Sequence, residues 1–131
     1  MRGAEQQKRL FVAVQLPDAI RAQLAAMQQE VARVRWSDPA MRVDRLVRGC
    51  TPAPGAWTEF RGERVKIGPV TPTPDVADLA PGELRVAKDA VWVGTATHAI
   101  RLGEVKAQGK RMMPAGDWSR GVRVEPGERL G

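Results

Sequence analysis

From residue 50 onward, glycine or proline interrupts the chain every dozen residues or so. That punctuation excludes long helices and leaves room for short strands joined by turns. The sharpest break lies in RGCTPAPGAWTEF, residues 48–60. Pro52 and Pro54 forbid a helix interior or a central strand, and each restricts the residue before it. Gly55 permits backbone angles that a side chain would block. The stretch therefore reads as a stiff corner between two kinds of structure.

Before the corner the patterns are helical. Residues 9–16, RLFVAVQL, are apolar and β-branched over the length of a buried strand. Pro17 then suits a helix start, and Ile20, Leu24, Met27, Val31 and Val34 recur at helical spacing, predicting a helix that ends near Trp36. Ser37-Asp38-Pro39 offers a polar cap and a first-turn proline for a second helix. In it Val43, Leu46, Val47 and Cys50 share one face, while Arg42, Arg45 and Arg48 lie on the other. Asp44 is placed to pair with Arg48 at i+4. The arginine row is either a solvated helix face or a phosphate-contacting one.

After the corner the period changes to two. Trp57 to Phe60, Val65 to Ile67, Leu84 to Val86, Val91 to Val93 and His98 to Leu102 are predicted as short strands, with Lys88-Asp89 as a turn. Regularly punctuated strands of this length make a small β-barrel or sandwich. The segment TPTPDVADLAPGE (71–83) is too rich in proline for either element and reads as an ordered surface loop.

The residue inventory excludes several chemistries. Cys50 is the only cysteine and His98 the only histidine, so there is no internal disulfide, and Cys-rich or two-His metal sites are excluded. No apolar run approaches a membrane span, no signal-peptide pattern is present, and a cytoplasmic protein is expected. Phosphate-cradling glycine motifs are missing. His98 and Cys50 read as structural residues, and no carboxylate pair is spaced for acid–base work.

Charge points elsewhere. Twenty-one Lys and Arg against fifteen Asp and Glu give +6, which favours an anionic partner. Lys66, Arg85 and Arg101 each stand between two apolar strand residues and so face solvent. Lys106, Lys110 and Arg111 follow in VKAQGKRMM, where glycine suggests a turn or bulge. Four Trp, two Phe and no Tyr are a thin supply of stacking rings. Trp92, between inward Val91 and Val93, is the one ring placed to face out. Packing is preferred to stacking for it, so contacts to a nucleic-acid backbone are expected ahead of base readout.

The stretches WSDPAMRVDRLVRGCTPAPGAWTEF, GERVKIGPV, PGELRVAKDAVWVGTATHAIRLGEVKAQGKRMM, DWSRG and PGERLG, in that order, resemble the C-terminal domain of the methionyl-tRNA formyltransferase family from about Trp36 to Gly131. The resemblance implies a barrel related to the oligonucleotide-binding fold, entered through a helix and a proline–glycine corner, that binds initiator tRNA through basic residues. In that family formyl transfer belongs to an N-terminal Rossmann-like domain that takes 10-formyltetrahydrofolate and uses an Asn, a His and an Asp. This chain has no room for such a domain, so it is expected to bind no cofactor and to have no catalytic residues of its own.

Residues 9–36, RLFVAVQLPDAIRAQLAAMQQEVARVRW in part, are similar instead to the opening strand and helix of the RNA ligase-like two-histidine phosphoesterases, which include RNA 2′,3′-cyclic phosphodiesterases. Those enzymes need two H-x-[ST]-x motifs. Here the single His98 is followed by Ala99 and Ile100, and the resemblance carries no active site. A fusion remnant, a mispredicted start or a chimera would each account for it.

The reading is thus a mainly β fold, a small open barrel of the oligonucleotide-binding type entered by an amphipathic helix. Residues 1–35 form a strand–helix appendage and 36–131 the tRNA-binding barrel. Arg42, Arg45, Arg48, Lys66, Arg85, Lys88, Lys106, Lys110 and Arg111 are the expected RNA contacts, with initiator tRNA as partner and neither membrane nor metal. Two alternatives stay open: a component of the formyltransferase that works only with a separate catalytic chain, and a non-functional gene fragment.

Overall fold

The computed structural model describes residues 17–131. The predicted strand at 9–16 lies outside the described residues. The chain divides into two compact units, Met1–Val31 and Ala32–Gly131.

In the first unit, helix α1 (Asp18–Val31) starts after Pro17, whose carbonyl accepts from the Arg21 amide at 3.0 Å. The helix buries none of its residues, and Ile20, Leu24, Met27 and Val31 are exposed. It stops short of the expected Trp36. Residues 32–34 instead lie parallel to Trp57, with the Val34 amide bonded to the Trp57 carbonyl at 2.8 Å and the Trp57 amide to the Ala32 carbonyl at 3.0 Å. Backbone groups committed to a strand edge cannot also continue a helix.

The second unit opens with α2 (Ala40–Cys50), which buries Ala40, Val43, Asp44, Val47 and Cys50 and presents Arg42, Arg45 and Arg48 to solvent. The expected cap is corrected: Pro39 occupies the cap position and no neighbouring side chain caps it. The Ala40 amide is met by the Thr97 hydroxyl, 57 residues away, at 3.0 Å. At the other end the Thr51 hydroxyl bonds the Val47 carbonyl at 2.7 Å and the Gly55 amide the Cys50 carbonyl at 2.8 Å. Gly55 sits at φ +87°, the left-handed region in which glycine is favoured. The corner is thereby tied to the helix it ends.

Eight strands follow: β1 (Ala56–Phe60), β2 (Glu63–Ile67), β3 (Val70–Thr73), β4 (Leu84–Val86), β5 (Val91–Val93), β6 (Ala99–Leu102), β7 (Glu104–Ala107) and β8 (Met112–Pro114). They make two antiparallel four-stranded sheets, ordered β1-β2-β7-β8 and β3-β6-β5-β4, without a closed barrel. The open, mainly β architecture is the one expected. One predicted feature changes, and the glycine turn expected in VKAQGKRMM is found. The proline-rich loop begins as strand β3, and Pro72 pairs with Ile100 there because β3 is an edge strand, whose outer side needs no amide donor. VKAQGKRMM is a hairpin, β7 to β8, with its turn at Gly109.

The two sheets are halves of one bent ribbon. β2 runs into β3 through Gly68-Pro69, and β6 into β7 through Gly103. A side chain at Gly103 would stand 2.6 Å from the Pro69 carbonyl oxygen, and one at Gly68 would stand 3.1 Å from that of Glu104. The strands cross so closely at the bend that only hydrogen fits at Gly103. Folding the ribbon brings Val65, Ile67 and Val105 of one sheet and Val91, Val93, Ile100 and Leu102 of the other into one core.

α2 packs on β1 and β3, and a last helix, α3 (Ala115–Val122), on β5, β7 and β8. Trp118 of α3 meets Phe60 edge-on at 5.0 Å. The C-terminal tail then bonds both sheets, Gly131 to the Glu59 carbonyl at 2.8 Å and Leu84 to the Glu128 carbonyl at 3.0 Å.

Candidate nucleic-acid interface

Strand alternation decides which basic residues meet. On β2, Val65 and Ile67 turn inward, so Arg64 and Lys66 turn outward; on β7, Val105 turns inward and Lys106 outward. The antiparallel register then sets Trp57, Lys66, Lys106 and Met112 side by side across all four strands of the first sheet. Lys66 and Lys106, forty residues apart in sequence, are direct partners.

Arg64 joins them, lining with both lysines a cleft of ≈ 190 Å³ that is closed by Ala107, Gln108 and Gly109. Its guanidinium lies 3.9 Å from the Trp57 ring centroid, and that of Arg33 lies 5.1 Å from it. Trp57 is 3% exposed, so its ring is a cushion under the cations and is closed to a ligand. Lys110 and Arg111 follow, exposed at the end of the β7–β8 turn, where the Lys110 amide bonds the Ala107 carbonyl at 3.0 Å; neither lines the cleft. Glu59, 3.9 Å from Arg33, and Glu104 are the carboxylates on this side.

The other expected contacts are distributed elsewhere. Arg42 and Arg45 stand exposed on α2 with no ion pair among the described residues. Arg48 is bonded to Asp44 at 2.9 Å, the i+4 pair expected from the sequence. Arg85, on β4 of the second sheet, holds Asp78 through two bonds of 3.1 and 2.6 Å. That hydrogen bond keeps the Asp78 carboxyl below the usual carboxylate range. Lys88 is exposed in the β4–β5 turn, where its carbonyl accepts from Arg120 at 2.6 Å. So Lys66 and Lys106 fall on one face, Lys110 and Arg111 at the turn beyond it, and Arg42, Arg45 and Arg48 on one helix. Arg85 and Lys88 belong to the opposite sheet.

Arg33 and Arg64 escaped the sequence reading. Arg64 alternates with Val65 just as Lys66 does, so the period-two pattern could have found it. Nothing in the sequence near Arg33 signals that it will lie over Trp57.

His98 Nε2 is shielded from solvent and has no hydrogen-bond partner among the described residues. The chain contains no asparagine, so an Asn–His–Asp set for formyl transfer cannot be assembled from these residues. Among the described residues there is no group of three or more potential metal ligands, and no helix is long and apolar enough to cross a membrane.

Residues 26–123 match the family model described as "Formyl transferase, C-terminal domain". The chain is 63% identical over 100 residues to a methionyl-tRNA formyltransferase of Thermobifida fusca, and 67% identical over 99 residues to one of Salinispora arenicola. Each match covers 76% of this chain and 32% of the relative, so the chain spans about a third of the length of the curated relatives it matches. Among solved structures it is similar to a multiply substituted variant of HypX from Aquifex aeolicus, with a TM-score of 0.63 and 23% identity over 76% of this chain and 18% of that one. That likeness is one of fold.

Proposed function

Since this chain belongs to the formyl transferase C-terminal domain family, we propose that its β unit is a tRNA-binding module of the methionyl-tRNA formyltransferase type. It grips the initiator tRNA backbone with basic side chains and leaves formyl transfer, and the 10-formyltetrahydrofolate that supplies it, to a separate catalytic domain. Residues 36–131 are the binding barrel. The added segment, of the phosphoesterase kind but without its histidine motifs, would end before residue 35, since residues 32–34 pair with Trp57 of β1.

The observation that carries this reading is the direct cross-strand pairing of Lys66 with Lys106, with Arg64 beside them. Like charges directly opposite on a sheet destabilise it. A polyanion laid across the face turns that repulsion into attraction, and counterions released from its phosphates supply the driving force. Arg42, Arg45, Arg48, Lys110, Arg111, Lys88 and Arg85 serve as further phosphate contacts, each weak alone. Such contacts fix the position of an RNA without reading its sequence.

Filter binding with initiator tRNA tests the proposal. Affinity should fall steeply and linearly with salt on logarithmic axes, and the Lys66→Ala/Lys106→Ala double variant should lower that slope by about two. Salt-independent binding, or a double variant that matches the parent, would refute it.

A second reading rests on the name shared by the two relatives, both about three times as long as the region matched. In it this chain contributes to formyl transfer only together with a catalytic chain. Mixing it with an isolated formyltransferase catalytic domain and assaying formylated methionyl-tRNA decides the matter. Failure to stimulate formylation rejects this second reading and leaves tRNA binding in place.

A further inference from the structure

The second sheet carries an aromatic arrangement unlike that of the first. Its inner face holds Leu84, Val91, Val93, Ile100 and Leu102 in the core. Its outer face sets Thr71, Arg101, Trp92 and Arg85 in one row across the four strands by register.

Trp92 differs from every other tryptophan in the chain. Trp36, Trp57 and Trp118 are 5%, 3% and 3% exposed, whereas Trp92 is half-buried on an outer face. Guanidinium groups lie over the rings of Trp57 and Phe60. Among the described residues none lies over Trp92, although arginines flank it on both neighbouring strands. Arg85 is held away by its two bonds to Asp78. Arg101 is exposed and makes no ion pair or side-chain hydrogen bond among the described residues.

Beyond Arg101 the face continues into a cleft of ≈ 410 Å³, lined among others by Thr71, Arg101 and Asp89. Its volume is in the range of small-ligand clefts, about 300–1,000 Å³. A partly exposed ring, an uncommitted guanidinium one strand away and a cleft lined by that arginine are the parts required to hold one nucleotide. The ring stacks the base, the cation takes the adjoining phosphate, and the cleft takes the sugar.

The geometry points to a stacking site for one unpaired nucleotide of an RNA on the outer face of the β3-β6-β5-β4 sheet, with Trp92 as the platform and Arg101 as the phosphate contact. The site rests on the RNA-binding reading of the domain and adds to it a contact that distinguishes unpaired from paired RNA. Stacking is tolerant of base identity, since every base has a π face. A duplex end, whose bases are already stacked and paired, has no base to place there.

The test uses the full chain and two probes of equal length, a short single-stranded oligoadenylate and a blunt RNA duplex. All four tryptophans emit, but the other three are at most 5% exposed and cannot stack on a base, so the quenching that Trp92→Phe abolishes is the signal of Trp92. The single strand should quench it saturably and the duplex should not. Trp92→Phe should keep affinity within about threefold by anisotropy, while Trp92→Leu should lose at least about fivefold and Arg101→Ala a comparable amount. Single-strand binding without quenching in the parent protein, or equal quenching by the duplex, overturns the site, and neither result depends on a variant folding. If tRNA binding responds to Lys66→Ala/Lys106→Ala while the oligoadenylate binds no more tightly than the duplex, the stacking site fails and the phosphate-binding face stands. If the oligoadenylate quenches Trp92 while that double variant leaves tRNA binding unchanged, the phosphate-binding face fails and the stacking site stands.

Discussion

Arg61 and Glu128 form a two-armed ion pair, with Nε donating to Oε2 at 2.8 Å and Nη2 to Oε1 at 2.5 Å. The pair joins the β1–β2 turn to the C-terminal tail. Arg61 also donates to the Val122 and Arg123 carbonyls, at 2.8 and 3.1 Å, and its guanidinium lies 4.6 Å from the Phe60 ring centroid. One side chain from a turn thus satisfies the end of α3 and the tail together.

This pair makes stability depend on acid pH. The hydrogen bond from Arg61, aided by the Glu125 amide, brings the Glu128 pKa down from 4.5 to about 2. Because the folded value lies below the unfolded one, the contribution is complete above about pH 4.5 and is lost as pH falls toward 2. Glu128→Gln should therefore lower Tm at pH 7 by a few degrees, and the difference from the parent should vanish near pH 2. A Tm difference that stays constant across that window would show the pair to be inconsequential.

The bend of the ribbon gives a second expectation. Gly103→Ala places a methyl 2.6 Å from the Pro69 carbonyl oxygen, so the backbone must move. The cost should be about 1–3 kcal/mol in denaturant unfolding. Gly49→Ala, where nothing lies within 4 Å, is the control and should cost nothing measurable or stabilise the helix slightly.

Trp36 Nε1 donates to Thr58 Oγ1 at 2.9 Å, and both residues are buried. Thr58→Val keeps the shape and removes the acceptor, which strands the indole N–H. Chemical denaturation should show a loss of about 1–3 kcal/mol. The neighbouring truncation Thr58→Ser keeps the acceptor and should lose less.

For RNA binding, side chains already paired within the protein should count for less than unpaired ones. Lys106→Ala should reduce the salt slope for tRNA by about one. Arg85→Ala should reduce it by less, since Arg85 must first give up Asp78. Equal slopes for the two variants would contradict that ordering.

Where a segment's own pattern suffices, the sequence reading and the structure coincide. The alternation at Val65-Lys66-Ile67 and Val91-Trp92-Val93 became β2 and β5, and the i+4 spacing of Asp44 and Arg48 became an ion pair. The helix Ala115–Val122 was not legible, because Gly116 and Gly121 mask its period while Trp118 anchors it by packing on Phe60. The end of α1 and the cap of α2 were misread for a related reason. Their backbone amides are satisfied by Trp57 and Thr97, which lie far along the chain.

The candidate interface divides in the same way. Which residue types would carry it, and that Lys66, Arg85, Arg101 and Trp92 would point outward, followed from charge and from the two-residue period of a strand. That Lys66 meets Lys106, that Arg33 and Arg64 close over Trp57, and that Trp92 stays partly exposed while the other three tryptophans are buried were decided by register and by the bend at Gly68 and Gly103. Local pattern fixes the direction of a side chain, because it depends on the backbone at that residue. Proximity depends on which strands pair and how the sheet folds, and that is settled only when the core closes.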